Sequence, residues 1–449
     1  MKPITLREIA DACNGQLFGD ENIVVTSIVT DSRQVKEGSM FAAIKGERAD
    51  GHNFISICME QGAVCALCEN VPATECTYIL VPSTLVALRQ IAEYYRSKFD
   101  IPFIGITGSV GKTSTKEMIA SVLSQKFNVH KTQGNFNNEL GVPLTIFGLD
   151  EEHEIAVIEM GISDFSEMTR LSRIVRPDIA VITNIGYCHL ENLHDLDGVL
   201  IAKTEMLEYV NPKGRIFLCG DDEKLYTIKE HDNIRTTFYG FDDHNEYRAE
   251  IESTDLEKGI ECRLHLKNGV VEATVPSVES HMVANAMCAS AIAEFLGLDI
   301  EQIKNGVEAY KTVGSRSNVI RKNTITIIDD CYNANPTSVR ASVDSLAKFS
   351  GRKVAIIGDM KELGDRECQM HFETGKYIND KEIDIVIGVG ELCAHLYNGA
   401  GKNGFYFRTV EDCINHIYML LKKGDTVLVK ASHSMHFDRI VDAINEQFE

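Results

Sequence analysis

In the segment Ile101-Pro-Phe-Ile-Gly-Ile-Thr-Gly-Ser-Val-Gly-Lys-Thr-Ser-Thr115, an apolar run gives way to a glycine-rich turn and then to Lys112-Thr113. Ile101 to Ile106 reads as a buried strand, and Lys116 to Leu123 carries a helical pattern. Strand, glycine turn and helix in this order make a phosphate cradle. Gly108 and Gly111 let backbone N–H groups close around phosphate oxygens, and the helix N-terminus adds positive potential. Lys112 would neutralise β/γ-phosphate charge, and the Thr113 hydroxyl can ligate Mg²⁺. The strict pattern G-x-x-x-x-G-K-[ST] is not met, because Ile106 stands where its first glycine would fall. The alternative reading is an ordinary strand–turn–helix connection.

Outward from this segment, the 449 residues suffice for two or three domains. Lys and Arg number 45 against 66 Asp and Glu, a net charge of −21. That balance argues against nucleic acid or an anionic membrane as the main partner, so an anionic substrate would need local basic clusters. The N-terminus has no signal-peptide core, and no stretch is long and apolar enough for a bilayer. A cytoplasmic protein without membrane insertion is expected. The 13 cysteines are scattered, which suits reduced thiols. Cys65-x-x-Cys68 with Cys76 is the one cluster; no His or second Cys pair completes a zinc set, so buried small hydrophobes are expected.

Residues 1–98 read as a small α/β unit, with a helix at Leu6 to Cys13, strands at Ile23 to Val29 and Met40 to Ile44, and a closing helix at Leu85 to Phe99. Its polar, Gly-containing turns hold Ser32, Arg33, Lys45, Gly46 and Arg48. These could together hold a diphosphate or a uracil ring, or be a solvated loop. Residues 99–313 alternate strand and helix, hence a mostly parallel sheet. Glu159 ends the strand Ile155 to Glu159 near the phosphate loop, where a Mg²⁺ ligand would sit. Past the strand Asp178 to Asn184 comes His189, and the helix Val199 to Tyr209 carries Lys203. Taken alone, a histidine in such a place is more often a satisfied surface or core residue than a ligand, and both readings of His189 stand. His281 and Asn285 share a helix face. Asn285 could pair with a nucleobase edge, or cap and pack. Residues 314–449 form a second α/β unit with strands at Thr324 to Asp329, Lys353 to Ile357, Ile383 to Gly388 and Thr426 to Lys430. These run into Asp330-Cys-Tyr-Asn-Ala-Asn-Pro336, Gly358-Asp-Met-Lys-Glu-Leu-Gly364 and Lys430-Ala-Ser-His433. Polar loops at strand C-terminal ends bind ligands in open α/β sheets, so they are expected to face the phosphate loop across a cleft.

Thr107-Gly-Ser-Val-Gly-Lys-Thr113, Asn137-Asn-Glu-Leu-Gly-Val-Pro143, Glu159-Met-Gly161, His189-Leu-Glu191, His281-x-x-x-Asn285, Arg316 and Asp330-Cys-Tyr-Asn-Ala-Asn-Pro336 together resemble the Mur ligases, over the whole chain. The resemblance implies three α/β domains: a small N-terminal UDP-sugar domain, a central P-loop-type ATPase domain with a mostly parallel sheet, and a C-terminal Rossmann-like domain. Within the family, Gly134-Asn-Phe-Asn-Asn-Glu-Leu-Gly-Val-Pro143 and Tyr332-Asn-Ala-Asn-Pro336 resemble the branch that joins D-Ala-D-Ala to UDP-N-acetylmuramoyl-tripeptide. A sister ligase adding a single amino acid is the alternative. A mere nucleotide switch would need no second metal set.

The resemblance implies an ATP-dependent amide ligase working through an acyl phosphate. It assigns the nucleotide to Thr107, Gly108, Ser109, Gly111, Lys112, Thr113, Ser114, Asn285 and Arg316. Mg²⁺ falls to Thr113, Glu159, His189 and a carbamylated Lys203; Lys112, Glu159, His189 and Lys203 are the catalytic set. For Lys203, the alternative is an exposed lysine paired with Glu205 or Glu208. Substrate contacts fall to Ser32, Arg33, Lys45, Gly46, Asn137, Asn138, Asp330, Asn333, Asn335 and Lys430. A monomer is expected. His433 stands where this branch often carries Arg, so a group that titrates near neutrality replaces a permanently charged one.

Overall fold

The computed structural model describes residues 1–46, 49–322 and 324–448, so Arg48 lies outside the described residues. The described strands form three main sheets, each with its own helical cover. The first has five strands in the order Gln16–Phe18, Tyr78–Leu80, Ala63–Cys68, Ser39–Ala42 and Ser27–Val29. The run Ile23 to Val29 is not one strand: Val24–Val25 pairs with Ile4–Thr5, and Ser27–Val29 joins the larger sheet. The break falls at Thr26, whose N–H and hydroxyl both donate to the Gly38 carbonyl, at 2.9 and 3.3 Å.

The second sheet has ten strands. Its parallel part places Phe103–Thr107 between Ile179–Ile182 and Ile155–Glu159. Every residue of these three strands is buried. Such continuous apolar runs are what a parallel sheet needs when helices cover both faces. Tyr247–Asp255, Gly259–Leu266 and Gly269–Val275 extend one end as antiparallel hairpins. The register sets Glu159 beside Ile106 and Ile182 beside Thr107, so the carboxylate emerges where the phosphate loop begins. The third sheet has six strands, in the order Asn318–Arg321, Thr326–Asp329, Thr426–Lys430, Lys353–Gly358, Ile385–Val389 and Gly404–Phe407. It is parallel except for the Asn318–Arg321 edge.

Two helices differ from the sequence reading. The phosphate-loop helix starts at Lys112, a full turn before Lys116. The helix holding Lys203 runs Leu196–Thr204 and tightens to a 3₁₀ turn over Glu205–Tyr209. Asp195 caps its start by accepting from the Asp197 and Gly198 N–H groups at 2.9 and 2.8 Å. Among the described residues no helix is long and apolar enough to cross a membrane. All 13 cysteines are unpaired thiols. Cys65 and Cys68 are buried, Cys76 and Cys219 are half-buried, and Cys368 is exposed.

Candidate functional site

The phosphate loop depends on two glycines. Gly108 has φ 152°, and a Cβ there would sit 1.9 Å from the Thr183 hydroxyl. Gly111 has φ 82° in the left-handed region and sets the turn into the helix Lys112–Leu123. The Lys112 ammonium folds back and donates to the Gly108 carbonyl at 2.7 Å. Ser109 is tied to the adjoining strand end: its hydroxyl donates to the Gly186 carbonyl at 3.0 Å and accepts from the Gly186 N–H at 2.8 Å.

Glu159 is 1% exposed and is held from several sides. Its Oε2 accepts from the Thr113 hydroxyl at 2.9 Å, and its Oε1 from Asn137 Nδ2 at 2.7 Å. Behind it lies Lys116, fully buried, with Nζ 3.6 Å from Glu159 Oε2, 3.1 Å from Glu117 Oε1 and donating to the Thr132 carbonyl at 2.7 Å. A buried ammonium is stable only when so surrounded. Sequence reading missed Lys116, because an exposed helix lysine and a buried counter-ion look alike in one dimension. Thr113 and Glu159 thus form a hard-oxygen pair suited to Mg²⁺.

Lys203 is 1% exposed, so the reading of it as a surface lysine does not hold. Glu205 is engaged elsewhere, accepting from the Ser166 and Thr169 N–H groups at 2.8 and 3.1 Å. Burial pulls the Lys203 pKa down to about 8; nearby Cys188 opposes this, and the Lys112 charge adds to it. His189 lines the cleft, with Nδ1 2.5 Å from Glu362 Oε2. Glu362 was not singled out in the sequence. Its pKa is held down by the His189 contact.

Asn285 is 7% exposed and is absent from the cleft lining. Its Oδ1 accepts from the Thr115 hydroxyl at 3.0 Å and its Nδ2 sits 3.3 Å from Met282 Sδ, so its amide braces the phosphate-loop helix. His281, one turn earlier, does line the cleft, 3.2 Å from Glu279 Oε2. Thr107 and Gly108 lie beneath the surface of the loop, and Thr107 is fully buried.

From the C-terminal sheet, Lys430 is 3% exposed; its Nζ donates to Asp330 Oδ2 at 2.5 Å and to the Asn333 carbonyl at 3.1 Å. Asp330 also accepts from the Ser342 hydroxyl at 2.7 Å. Asn335 caps the helix Pro336–Ala347, taking the Ser338 N–H at 2.8 Å. The Asn138 side chain accepts from the Gly141 N–H at 2.8 Å, where the helix Gly141–Phe147 begins. Arg316 lies over the Tyr332 ring, Cζ 3.5 Å from its centroid.

Most of these groups line one cleft of about 680 Å³, shared by all three sheets' loops, whereas Thr107, Gly108, Lys116, Lys203 and Asn285 are not among its lining residues. It runs from Ile44 and Leu85, past Ser109 to Ser114, Asn137, Asn138, Glu159 and His189, to Arg316, Asp330, Asn333, Asn335 and Lys430. The expected facing of strand-end loops across a cleft is observed. Ser32, Arg33, Lys45 and Gly46 do not line it. Arg33 pairs locally with Asp31 at 2.6 Å, and the backbones of Lys45 and Asp50 form an isolated antiparallel β-bridge.

The described residues Asp359, His371 and Cys393 converge in the C-terminal unit, with one ligand-capable atom from each within 4.8 Å of the others. Both His371 nitrogens are taken: Nε2 accepts the Met360 N–H at 2.9 Å and Nδ1 meets the Glu367 carbonyl at 2.7 Å. The cluster braces the loop Asp359 to Gly364 and has no free nitrogen for a metal.

A fold of three α/β sheets closing on a phosphate loop defines a class of nucleotide-using ligases, and the comparisons agree. Family profiles described as the catalytic domain of the Mur ligase family, the Mur ligase middle domain and the Mur ligase glutamate ligase domain match residues 24–99, 106–293 and 315–433. The chain belongs to the Mur ligase family. The UDP-N-acetylmuramoyl-tripeptide–D-alanyl-D-alanine ligase of Bacillus subtilis (strain 168) is 36% identical over 98% of each chain. The crystal structure of MurF from Acinetobacter baumannii superposes with a TM-score of 0.93, at 32% identity over 99% of each chain. MurF from Thermotoga maritima, solved in complex with ADP, gives a TM-score of 0.84 at 29% identity, over 94% of this chain and 97% of that one.

Proposed function

We propose that this chain is an ATP-dependent amide ligase that joins D-alanyl-D-alanine to UDP-N-acetylmuramoyl-tripeptide, a cytoplasmic step of peptidoglycan precursor synthesis. The observation that carries the reading is the single cleft in which the phosphate loop faces Asp330, Asn333 and Lys430 of the last sheet. Full-length similarity to a ligase of that name supports it. A carboxylate is a poor electrophile without a leaving group. The tripeptide's terminal carboxylate therefore attacks the γ-phosphate of ATP, releasing ADP and giving an acyl phosphate. The D-Ala-D-Ala amine then displaces phosphate through a tetrahedral intermediate.

The protein's part is position and charge. Lys112 leaves the Gly108 carbonyl to meet the β/γ-phosphates. Backbone N–H groups from Gly111 to Ser114 cradle the phosphates, with Ser109 and Val110 holding the loop through their own N–H bonds to Asn184, and Arg316 meets the nucleotide from the C-terminal side, while Asn285 acts from below by bracing Thr115. Thr113 and Glu159 would hold Mg²⁺ at the nucleotide, with His189 and a carbamylated Lys203 completing a second set; bound Mg²⁺ supplies charge neutralisation there. Asn137 and Lys116 keep Glu159 aimed. Asn138, Asn333, Asn335 and Lys430 contact the peptide end, and Ser32, Arg33, Lys45 and Gly46 the UDP end, with Arg33 released from Asp31. Domain limits of 1–98, 99–313 and 314–449 and a monomeric state complete the proposal.

The test is a substrate panel: ATP and Mg²⁺ with each UDP-muramoyl peptide, with and without D-Ala-D-Ala, read by mass spectrometry. Formation of the pentapeptide product is expected. Addition of lysine or diaminopimelate to the UDP-muramoyl dipeptide would instead assign the chain to the sister branch.

A further inference from the structure

Arg316 differs from most arginines of this acidic chain. Arg33, Arg170 and Arg352 each meet a carboxylate, whereas among the described residues Arg316 enters no ion pair. Its guanidinium lies 3.5 Å above the centre of the Tyr332 ring, at the wall of the cleft. A guanidinium stacked on a ring uses its flat face, so its in-plane N–H donors stay free. The backbone around the pair is stitched in register: the Tyr332 N–H donates to the Ser315 carbonyl at 3.1 Å, and the Ser317 N–H to Asp330 Oδ1 at 3.2 Å. Ser317 holds φ 53°, a left-handed conformation that these bonds stabilise. Arg316 thus belongs mechanically to the C-terminal sheet, although it precedes that sheet's first strand, Asn318–Arg321.

We infer that Tyr332 is a positioning residue: its ring holds the Arg316 guanidinium ready to meet the nucleotide and ties that contact to the placement of the C-terminal sheet. The inference rests on the reading of Arg316 as a nucleotide contact. Without the ring, a long side chain on an exposed connection samples many rotamers, and each nucleotide encounter must order it anew. The Tyr332 ring also packs beside the His433 ring, 5.8 Å away between centroids and tilted by 56°.

The experiment compares full-length Arg316→Ala, Tyr332→Phe, Tyr332→Leu and the Arg316→Ala/Tyr332→Leu double variant. Each is read as kcat/KM for ATP at saturating co-substrates, with the unfolding midpoint alongside. Leucine keeps apolar bulk, so the variant folds, but offers no π face. Tyr332→Phe should match the wild type. Tyr332→Leu should lose about tenfold, the size of a partly desolvated cation–π contact. The double variant should be no worse than Arg316→Ala, because both changes remove one interaction. Additive losses, or a Tyr332→Leu protein as active as wild type beside an impaired Arg316→Ala, would overturn the positioning role. An unimpaired Arg316→Ala would overturn the nucleotide contact itself, and the inference with it.

Discussion

His189 Nδ1 and Glu362 Oε2 lie 2.5 Å apart, although one follows a strand of the central sheet and the other a strand of the C-terminal sheet. Both residues hold left-handed backbone, with φ 53° and 64°. A carboxylate on one imidazole nitrogen fixes the ring and leaves Nε2 for another partner, the arrangement by which carboxylates orient metal-binding histidines. Glu362→Gln should raise the Mg²⁺ concentration for half-maximal turnover by about tenfold or more. A Mg²⁺ titration of the variant checks this, and an unchanged midpoint would separate Glu362 from the metal.

Lys112→Ala should lower turnover by about 10³. Among the described residues its side chain bonds only to the Gly108 carbonyl, a local contact, so the unfolding midpoint should stay put. ADP and phosphate release, followed beside a melting curve, distinguishes lost chemistry from lost fold. Phosphate release near the wild-type rate would remove the lysine from the phosphate site.

Lys203→Ala should lose most activity, and a short carboxylic acid should restore part of it. The amine is buried with its pKa pulled down to about 8, so a sizeable neutral fraction is present near neutrality to combine with CO₂, releasing a proton. Neutral lysine is a poor ligand for Mg²⁺, whereas a carbamate supplies two oxygens. Full activity of the variant in CO₂-depleted buffer would exclude the carbamate.

His130 predicts an acid limit to stability. Burial lowers its pKa from the usual 6.5 to about 4, even though the ring meets the Thr145 carbonyl at 2.7 Å. The unfolded chain therefore takes up this proton first as pH falls. The stability involved is intact above about pH 6.5 and is lost between there and about pH 4, to an extent of about 3 kcal/mol at most. His130→Gln should flatten the fall in urea midpoint between pH 6.5 and 4.5. A variant curve parallel to wild type would place the acid sensitivity elsewhere.

The phosphate loop, the parallel sheet and the position of Glu159 were legible because each has a one-dimensional signature: an apolar run, paired glycines, a carboxylate at a strand end. The loops of the last unit were legible for the same reason. What the sequence hid was three-dimensional pairing. Glu362 meets His189 from 173 positions away, and nothing in Met-Lys-Glu-Leu marks that glutamate. Asn285 looked as apt for a nucleobase as for packing, and only the Thr115 bond shows which way its amide turns. Lys116 sits among polar neighbours and Lys203 follows the apolar run Val199-Leu-Ile-Ala202, yet both are buried. Burial of a lysine depends on which helix face the sheet covers, and a mixed local pattern leaves that undetermined.

Of the thirteen cysteines, all among the described residues, Cys368 alone is exposed. The half-buried Cys76 and Cys219 have raised pKa values, in both cases through burial, and so form thiolate reluctantly. A maleimide dye should therefore attach to the natural sequence at one place, on the helix Glu367–Asp380 that directly follows the Glu362 loop. The chain carries its own labelling point for watching, by fluorescence and without a single substitution, how that loop moves as substrates arrive.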